Sequence, residues 1–115
     1  MQRVSVGSNR RHPHSAGELA QQRALRDARA RGPLHSLSAE QLVLTSRAVT
    51  VVPDQVRLWG LAWLRFGDVD VQAVVRVRRW TDDALGVEVD IGGELLRCWV
   101  WQGACRRLED RRAAW

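Results

Sequence analysis

Residues 55–102 read QVRLWGLAWLRFGDVDVQAVVRVRRWTDDALGVEVDIGGELLRCWVWQ, and this stretch decides the fold. Within it, four segments alternate apolar and polar residues with the period of a half-buried strand. The segments are separated by Gly67-Asp68, Thr81-Asp82-Asp83 and Gly92-Gly93, residue types that form tight turns. We therefore predict an antiparallel meander of four strands over about residues 55–102. The β-branched segment 48–52 is a candidate fifth strand.

The short turns also predict which residues face each other on neighbouring strands. Counting outward from each turn, with Trp80 paired to Ala84, gives one row that alternates in charge across the sheet: Trp59, Arg76, Glu88 and Arg97. Facing residues of opposite charge stabilise a sheet by about 0.2–1 kcal/mol per pair. The row therefore supports the register derived from the turns.

The next row on the same face is less consistent, because two arginines face each other in it. Its members are Arg57, Arg78, Gly86 and Trp99. Like charges repel at facing positions, and such local conflicts are often found at functional sites. Aromatic rings beside guanidinium groups are what single-stranded nucleic-acid binders use to stack bases and hold phosphates. The predicted patch at this end of the sheet is Arg57, Arg78, Trp80, Trp99 and Trp101. The structural alternative is that the helices or the C terminus cover these tryptophans.

Length and composition indicate one domain from a GC-rich genome, such as that of a bacterium or phage. The 115 residues are enough for a single core, and the chain has 18 Arg but no Lys and no Tyr. Arginine content alone is therefore uninformative about function. Its distribution is informative: residues 1–35 contain seven Arg against two acidic residues, whereas residues 36–115 contain eleven of each. The entire net charge of +5 lies in the N-terminal third, as suits contact with phosphates or with an acidic surface.

We divide the chain into a basic N-terminal arm, residues 1–35, and a single small β domain, residues 36–115. A helix is predicted over about residues 15–31, because Ser15 and Glu18 form a capping box and Gly32-Pro33 ends a helix. The candidate phosphate-contacting residues of the arm are Arg10, Arg11, Arg23, Arg26, Arg29 and Arg31. The alternative is a helix whose arginines are simply solvated.

Two short helices complete the predicted architecture. A second capping box at Ser38 and Gln41 predicts a helix over 39–46, and composition predicts another from Gly103 to Ala114. The predicted fold class is α+β, mainly β. It is a small curled antiparallel sheet or SH3-like barrel of four to five strands, with an N-terminal basic helix and a short C-terminal helix. A flatter sheet covered by helices is the alternative.

The sequence lacks the motifs of catalysis and of metal binding. The histidines have no further ligands at the spacing of a metal site: His12, His14 and His35. Cys98 falls on the predicted core face. Cys105 lies beside Arg106, which lowers a thiol pKa where the thiol is exposed, but no general-base histidine accompanies it. We therefore predict no enzyme activity, no metal, no cofactor and no small-molecule substrate.

The remaining features predict a cytoplasmic binding module. No apolar run approaches the roughly 18 residues of a membrane span, and the N terminus lacks a signal-peptide pattern. Our leading hypothesis is a small non-enzymatic module that binds nucleic acid through the arginine-rich arm and the Trp/Arg sheet face. The alternative is a protein–protein interaction or adaptor module, or a self-associating small protein, in which the same Trp and Arg residues anchor a partner.

Overall fold

The structure, a computed structural model, describes residues 13–43 and 48–115. Within these two ranges there are two α-helices, α1 and α2, six strands, β1 to β6, and one 3-10 turn at Gln102–Ala104. The elements are α1 Pro13–Arg29, α2 Ala39–Leu42, β1 Thr50–Val51, β2 Leu58–Phe66, β3 Val69–Trp80, β4 Ala84–Ile91, β5 Glu94–Trp101 and β6 Cys105–Leu108. A small, mainly β fold of the α+β class is thus confirmed.

All strand pairs are antiparallel, and the strand order is β5-β4-β3-β2-β6, with β1 beside the end of β3. This order describes an open sheet whose outermost long strand is β5 and whose opposite edge is β6. A closed barrel is therefore not confirmed. Segment 34–37 bonds to a strand near each edge of the sheet. His35 donates its backbone N–H to the Arg65 carbonyl of β2, and Leu37 donates its backbone N–H to the Trp99 carbonyl of β5.

The first predicted row of facing residues is confirmed. Trp59 lies opposite Arg76, Arg76 opposite Glu88, and Glu88 opposite Arg97. This face of the sheet is called the outer face below. The opposite, inner face carries the core, which includes Ala62, Leu64 and Phe66 of β2 with their neighbours on the other strands.

The second predicted row is wrong at Arg78, where the β3–β4 register shifts by one residue. Arg79, not Arg78, lies opposite Gly86, and Trp80 lies opposite Leu85. The cause is the turn. Thr81 donates its backbone N–H to the Ala84 carbonyl (2.9 Å), and its hydroxyl accepts from the Ala84 N–H (3.1 Å). These bonds fix a turn that is one residue out of step with the Arg76 to Glu88 pairing, and a β-bulge at Arg78 absorbs the difference.

Helix α1 bridges β3 and β4 beyond the point where they pair. The Gln21 side chain accepts from the Val74 N–H of β3 (2.8 Å). The Gln22 side chain donates to the Asp90 carbonyl of β4 (2.6 Å) and accepts from the Gly92 N–H (2.9 Å). Two glutamines thus satisfy backbone groups that would otherwise lack strand partners. Between them and the helix end, Leu25 enters the core with 0 % of its surface exposed.

The predicted helix bounds need correction. Helix α1 runs from Pro13 to Arg29 rather than over about 15–31, and proline suits the first helical position because it has no N–H to satisfy. Helix α2 ends at Leu42, and the last residues of the predicted 39–46 helix, 44–46, lie outside the described residues. No C-terminal helix forms in the described chain. Residues Cys105–Leu108 instead pair as β6 with the free edge of β2, because backbone groups on an edge strand favour a partner strand.

Candidate nucleic-acid interface

A buried carboxylate organises the arginines of the outer face. Glu88 is only 6 % exposed. Its Oε2 accepts a hydrogen bond from Arg97 Nε at 3.0 Å, and its Oε1 lies 3.7 Å from Arg78 Nη1. Arg76 faces Glu88 across the strand pair. One buried negative charge therefore holds two guanidinium groups, those of Arg78 and Arg97, on a single face, since a buried carboxylate is stable only when it is paired.

The loop before β2 holds the same arginines from the other side. Arg76 Nη2 donates to the backbone carbonyls of Asp54 (2.6 Å) and Val56 (3.3 Å). Arg78 also pairs with the exposed Asp54 carboxylate. Within the described chain, the Nε atoms of Arg76 and Arg78 are buried without a hydrogen-bond partner. The loop therefore fixes both guanidinium groups through their Nη atoms.

The β-bulge places Arg78 and Arg79 side by side on the outer face, next to Trp99. An added Cβ on Gly86 would lie 3.3 Å from Arg79 Cβ and 3.4 Å from the Trp99 ring, so both side chains cover this glycine. Together with Arg97, these residues line a shallow cavity of about 220 Å³. We call Arg78, Arg79, Arg97 and Trp99 the bulge patch. It combines three cations with one aromatic surface.

The bulge also separates two of the tryptophans predicted to lie together. Trp80 faces Leu85, an inner-face residue, whereas Trp99 faces Gly86 on the outer face. Trp101 lies two residues beyond Trp99 on the same strand and is exposed. Arg57 is exposed beside Arg76, in a neighbouring depression of the outer face. The structure therefore keeps Trp99 and Trp101 on one face and assigns Trp80 to the other.

The candidate arginines of the arm are only partly available. Arg10 and Arg11 lie outside the described residues. Arg29 pairs with Glu94 at 2.8 Å and Arg31 with Asp68 at 3.2 Å, so both join α1 to the sheet. The two that are exposed without an ion pair in the described chain are Arg23 and Arg26.

Two residues of the bulge patch, Arg79 and Arg97, were missed as candidates from the sequence. Arg97 appeared only as the cross-strand partner of Glu88. Arg79 was not among the candidates, because strict strand alternation without a bulge would place it on the inner face. The available signal was Thr81, whose side chain caps the following turn and favours a two-residue loop at Asp82-Asp83.

Neither cysteine has the properties of a reactive thiol. Both are free, and Cys98 is buried on the inner face, where burial raises its pKa to about 11. Burial also raises the pKa of Cys105, so the lowering expected for an exposed thiol beside arginine does not apply to this partly buried one. The Cys105 thiol lies on the inner face, against Gly60. Desolvation disfavours the thiolate there more than the neighbouring cations favour it.

Comparisons with known proteins give no match: no family model, no curated protein and no solved structure matches this chain. Among residues 13–43 and 48–115, no three His, Cys, Asp or Glu side chains gather as a metal site would require. No helix within the same ranges is long and apolar enough to cross a membrane.

Proposed function

We propose that this chain is a small non-enzymatic binding module that holds nucleic acid by its phosphates and stacks a base on the bulge patch. One observation carries the proposal: Arg78, Arg79, Arg97 and Trp99 converge on one cavity of the outer face. Guanidinium groups bind phosphate through charge-assisted, often bidentate hydrogen bonds. An adjacent aromatic ring is the usual means of holding an unpaired base.

The charge balance of the bulge patch supports an anionic ligand. Glu88 engages Arg97 through Nε alone, and the Arg97 side chain is 73 % exposed, so its terminal nitrogens remain accessible. Arg79 forms no ion pair within the described chain. The patch therefore presents guanidinium donors that are accessible to an anion.

One exposed arginine of the arm lies near the other end of β4. The Arg26 guanidinium lies 3.8 Å from the Cβ position of Gly92, at the far end of β4 from Gly86. The two glycines are six positions apart in the sequence, which is about 20 Å of strand at 3.3 Å per residue. A strand of nucleic acid lying along β4 would meet Arg26 and then the bulge patch.

Both cysteines are free, which supports a reducing, cytoplasmic compartment for this activity. We propose the cytoplasm as the site of function.

The test is fluorescence anisotropy of labelled single- and double-stranded DNA and RNA at two salt concentrations. Arg79→Gln and Arg97→Gln should each weaken binding, and each lost phosphate contact should reduce the salt slope by about 1. Trp99→Ala should weaken single-stranded binding by about 1–3 kcal/mol. Substitution is preferable to truncation of the arm, because removing residues 1–33 would also remove Leu25 from the core.

Two control variants test whether a loss of binding is specific to the bulge patch. The alternatives are that binding falls with any lower net charge or with the loss of any exposed tryptophan. Arg112→Gln removes one exposed positive charge from the C-terminal turn, and Trp63→Ala removes an exposed indole elsewhere on the outer face. Both should bind as wild type. Binding that does not change with salt, or that falls equally in Arg79→Gln and Arg112→Gln, contradicts the proposal.

A second candidate function is protein interaction, favoured by exposed apolar side chains. Trp63 and Leu95 are 53 % and 57 % exposed, and large apolar residues of this kind are enriched where partners bind. If this function dominates, Trp63→Ser should abolish self-association or capture of a protein partner, whereas arginine substitutions in the bulge patch should not. Light scattering over a concentration series would distinguish self-association from a monomer.

A further inference from the structure

A second cavity lies on the inner face, on the opposite side of the sheet from the bulge patch. Its volume is about 390 Å³, and its lining includes Leu58, Val77, Trp80, Leu85, Cys105 and Arg107. Small-molecule sites are concave, mostly apolar and roughly 300–1,000 Å³ in volume, with a few placed polar groups. This cavity meets that description in size and in lining.

The β-bulge supplies one wall of the cavity. The register shift at Arg78 brings Trp80 onto the inner face opposite Leu85, where its half-exposed ring forms part of the wall. Gly60 also lines the cavity, and the Cys105 thiol lies over it, since a Cβ added at Gly60 would be 2.5 Å from Cys105 Sγ. Apolar walls remain on three strands, and the indole forms the rim.

The polar groups at the cavity define the ligand chemistry. The Gln102 side chain donates to the Thr81 carbonyl at 2.9 Å and is thereby engaged in the turn. The Cys105 thiol is neutral, because burial raises its pKa. Arg107 faces Gly60 on the inner side of β6, is exposed, and has no ion-pair partner within the described residues. One unpaired cation thus borders an otherwise apolar space.

We propose that this cavity binds a small amphipathic carboxylate, with its apolar body against Leu58, Val77 and Leu85 and its carboxylate on Arg107. At about 30 Å³ per water-sized group, the volume holds roughly a dozen non-hydrogen atoms. The apolar body gains by leaving water. The acid group keeps a charged partner at the solvent-facing rim, so neither end of the ligand is left unsatisfied. This site does not depend on nucleic-acid binding, because it lies on the other face.

The experiment uses octanoate and octan-1-ol as probes of equal chain length, titrated into the full chain by calorimetry with tryptophan fluorescence as a second readout. Wild type should bind octanoate at one site, about tenfold more tightly than octan-1-ol, as expected for one charge-assisted contact at an exposed rim. Arg107→Gln should remove that preference. Arg106→Gln is the matched control, because Arg106 is the adjacent exposed arginine and faces Leu61 on the outer side of the same strand.

Each outcome decides between the alternatives. Octanoate preference that is lost in Arg107→Gln and kept in Arg106→Gln supports the site. No saturable octanoate binding by wild type overturns the site, and equal affinity for octanoate and octan-1-ol overturns the role of Arg107. Leu85→Phe, which fills the cavity, should weaken both probes by at least tenfold. If that variant does not fold, the two exposed arginine variants still decide the result.

Discussion

Replacing Leu25 by alanine tests whether α1 belongs to the domain or is a separable arm. Leu25 lies in the second half of the helix, with 0 % of its surface exposed, and belongs to the same core cluster as Phe66 and Val89. Its side chain is the main apolar contribution of the helix to this core. The substitution leaves the helix propensity high, because alanine is the best helix former. The effect therefore reports packing alone.

The magnitude follows from the burial. Removing a fully buried leucine side chain costs its transfer free energy and leaves a cavity, which together destabilise a protein by about 3 kcal/mol. For 115 residues, the entropy of unfolding is about 0.24 kcal/mol/K at about 2.1 cal/mol/K per residue. The melting temperature should thus fall by about 12 °C.

The assay is urea and thermal unfolding followed by far-ultraviolet circular dichroism. The control is Leu19→Ala on the same helix, where the leucine is 67 % exposed and the loss should stay within about 0.5 kcal/mol. If Leu25→Ala costs no more than Leu19→Ala, the helix does not pack as described, and the division at residue 35 would gain support.

Three further predictions concern the outer face and the core. Glu88→Gln removes the buried charge that pairs with Arg78 and Arg97. Urea unfolding should show a free energy of unfolding lower by about 1–3 kcal/mol. The same change at the exposed Glu109 should have little effect in that experiment. Gly86→Ala places a methyl group 3.3 Å from Arg79 Cβ and 3.4 Å from the Trp99 ring. The resulting small shift of these side chains should weaken single-stranded DNA binding in the anisotropy assay, and unchanged binding would argue against stacking on this ring. The folded-state pKa of Cys98 is raised from 9.0 to about 11, so the native state holds the proton more tightly than the unfolded chain. The protonated Cys98 thiol therefore contributes about 3 kcal/mol to the free energy of unfolding below pH 9, and this contribution is lost as the pH rises to 11. In Cys98→Ala, the free energy of unfolding should change less between pH 9 and pH 11, as measured by the urea midpoint at each pH.

The turns and the strand period were sufficient to predict the centre of the sheet. Gly67-Asp68 and Gly92-Gly93 set the β2–β3 and β4–β5 registers, and facing pairs such as Glu88 and Arg97 follow from them. These features are local: each depends on a few consecutive residues with strong conformational preferences. The sequence predicts such local features correctly because packing against distant parts of the chain does not override them.

The features that could not be predicted depend on distant contacts. Strand β6 forms because the edge of β2 is free, which nothing in residues 105–108 reveals. Helix α1 has a thin apolar stripe, and its attachment relies on Gln21 and Gln22 bonding to backbone groups of β3 and β4. Glutamine is an ordinary surface residue of helices, so its role here depends on the separation of two strands far along the chain.

The β-bulge shows how one conflict in the sequence can generate both proposed sites. The pairing of Arg76 with Glu88 requires one register, while the Thr81 turn requires another, and the strand satisfies both by adding a residue at Arg78. Without the bulge, Arg79 would point to the inner face and Trp80 to the outer one. With it, the outer face gains an arginine beside Trp99, and the inner face gains an indole at the rim of the apolar cavity. Bulges often occur beside functional sites because they re-aim side chains without breaking the sheet. Here the re-aimed side chains give the two faces different chemistry, cationic on one side and apolar on the other.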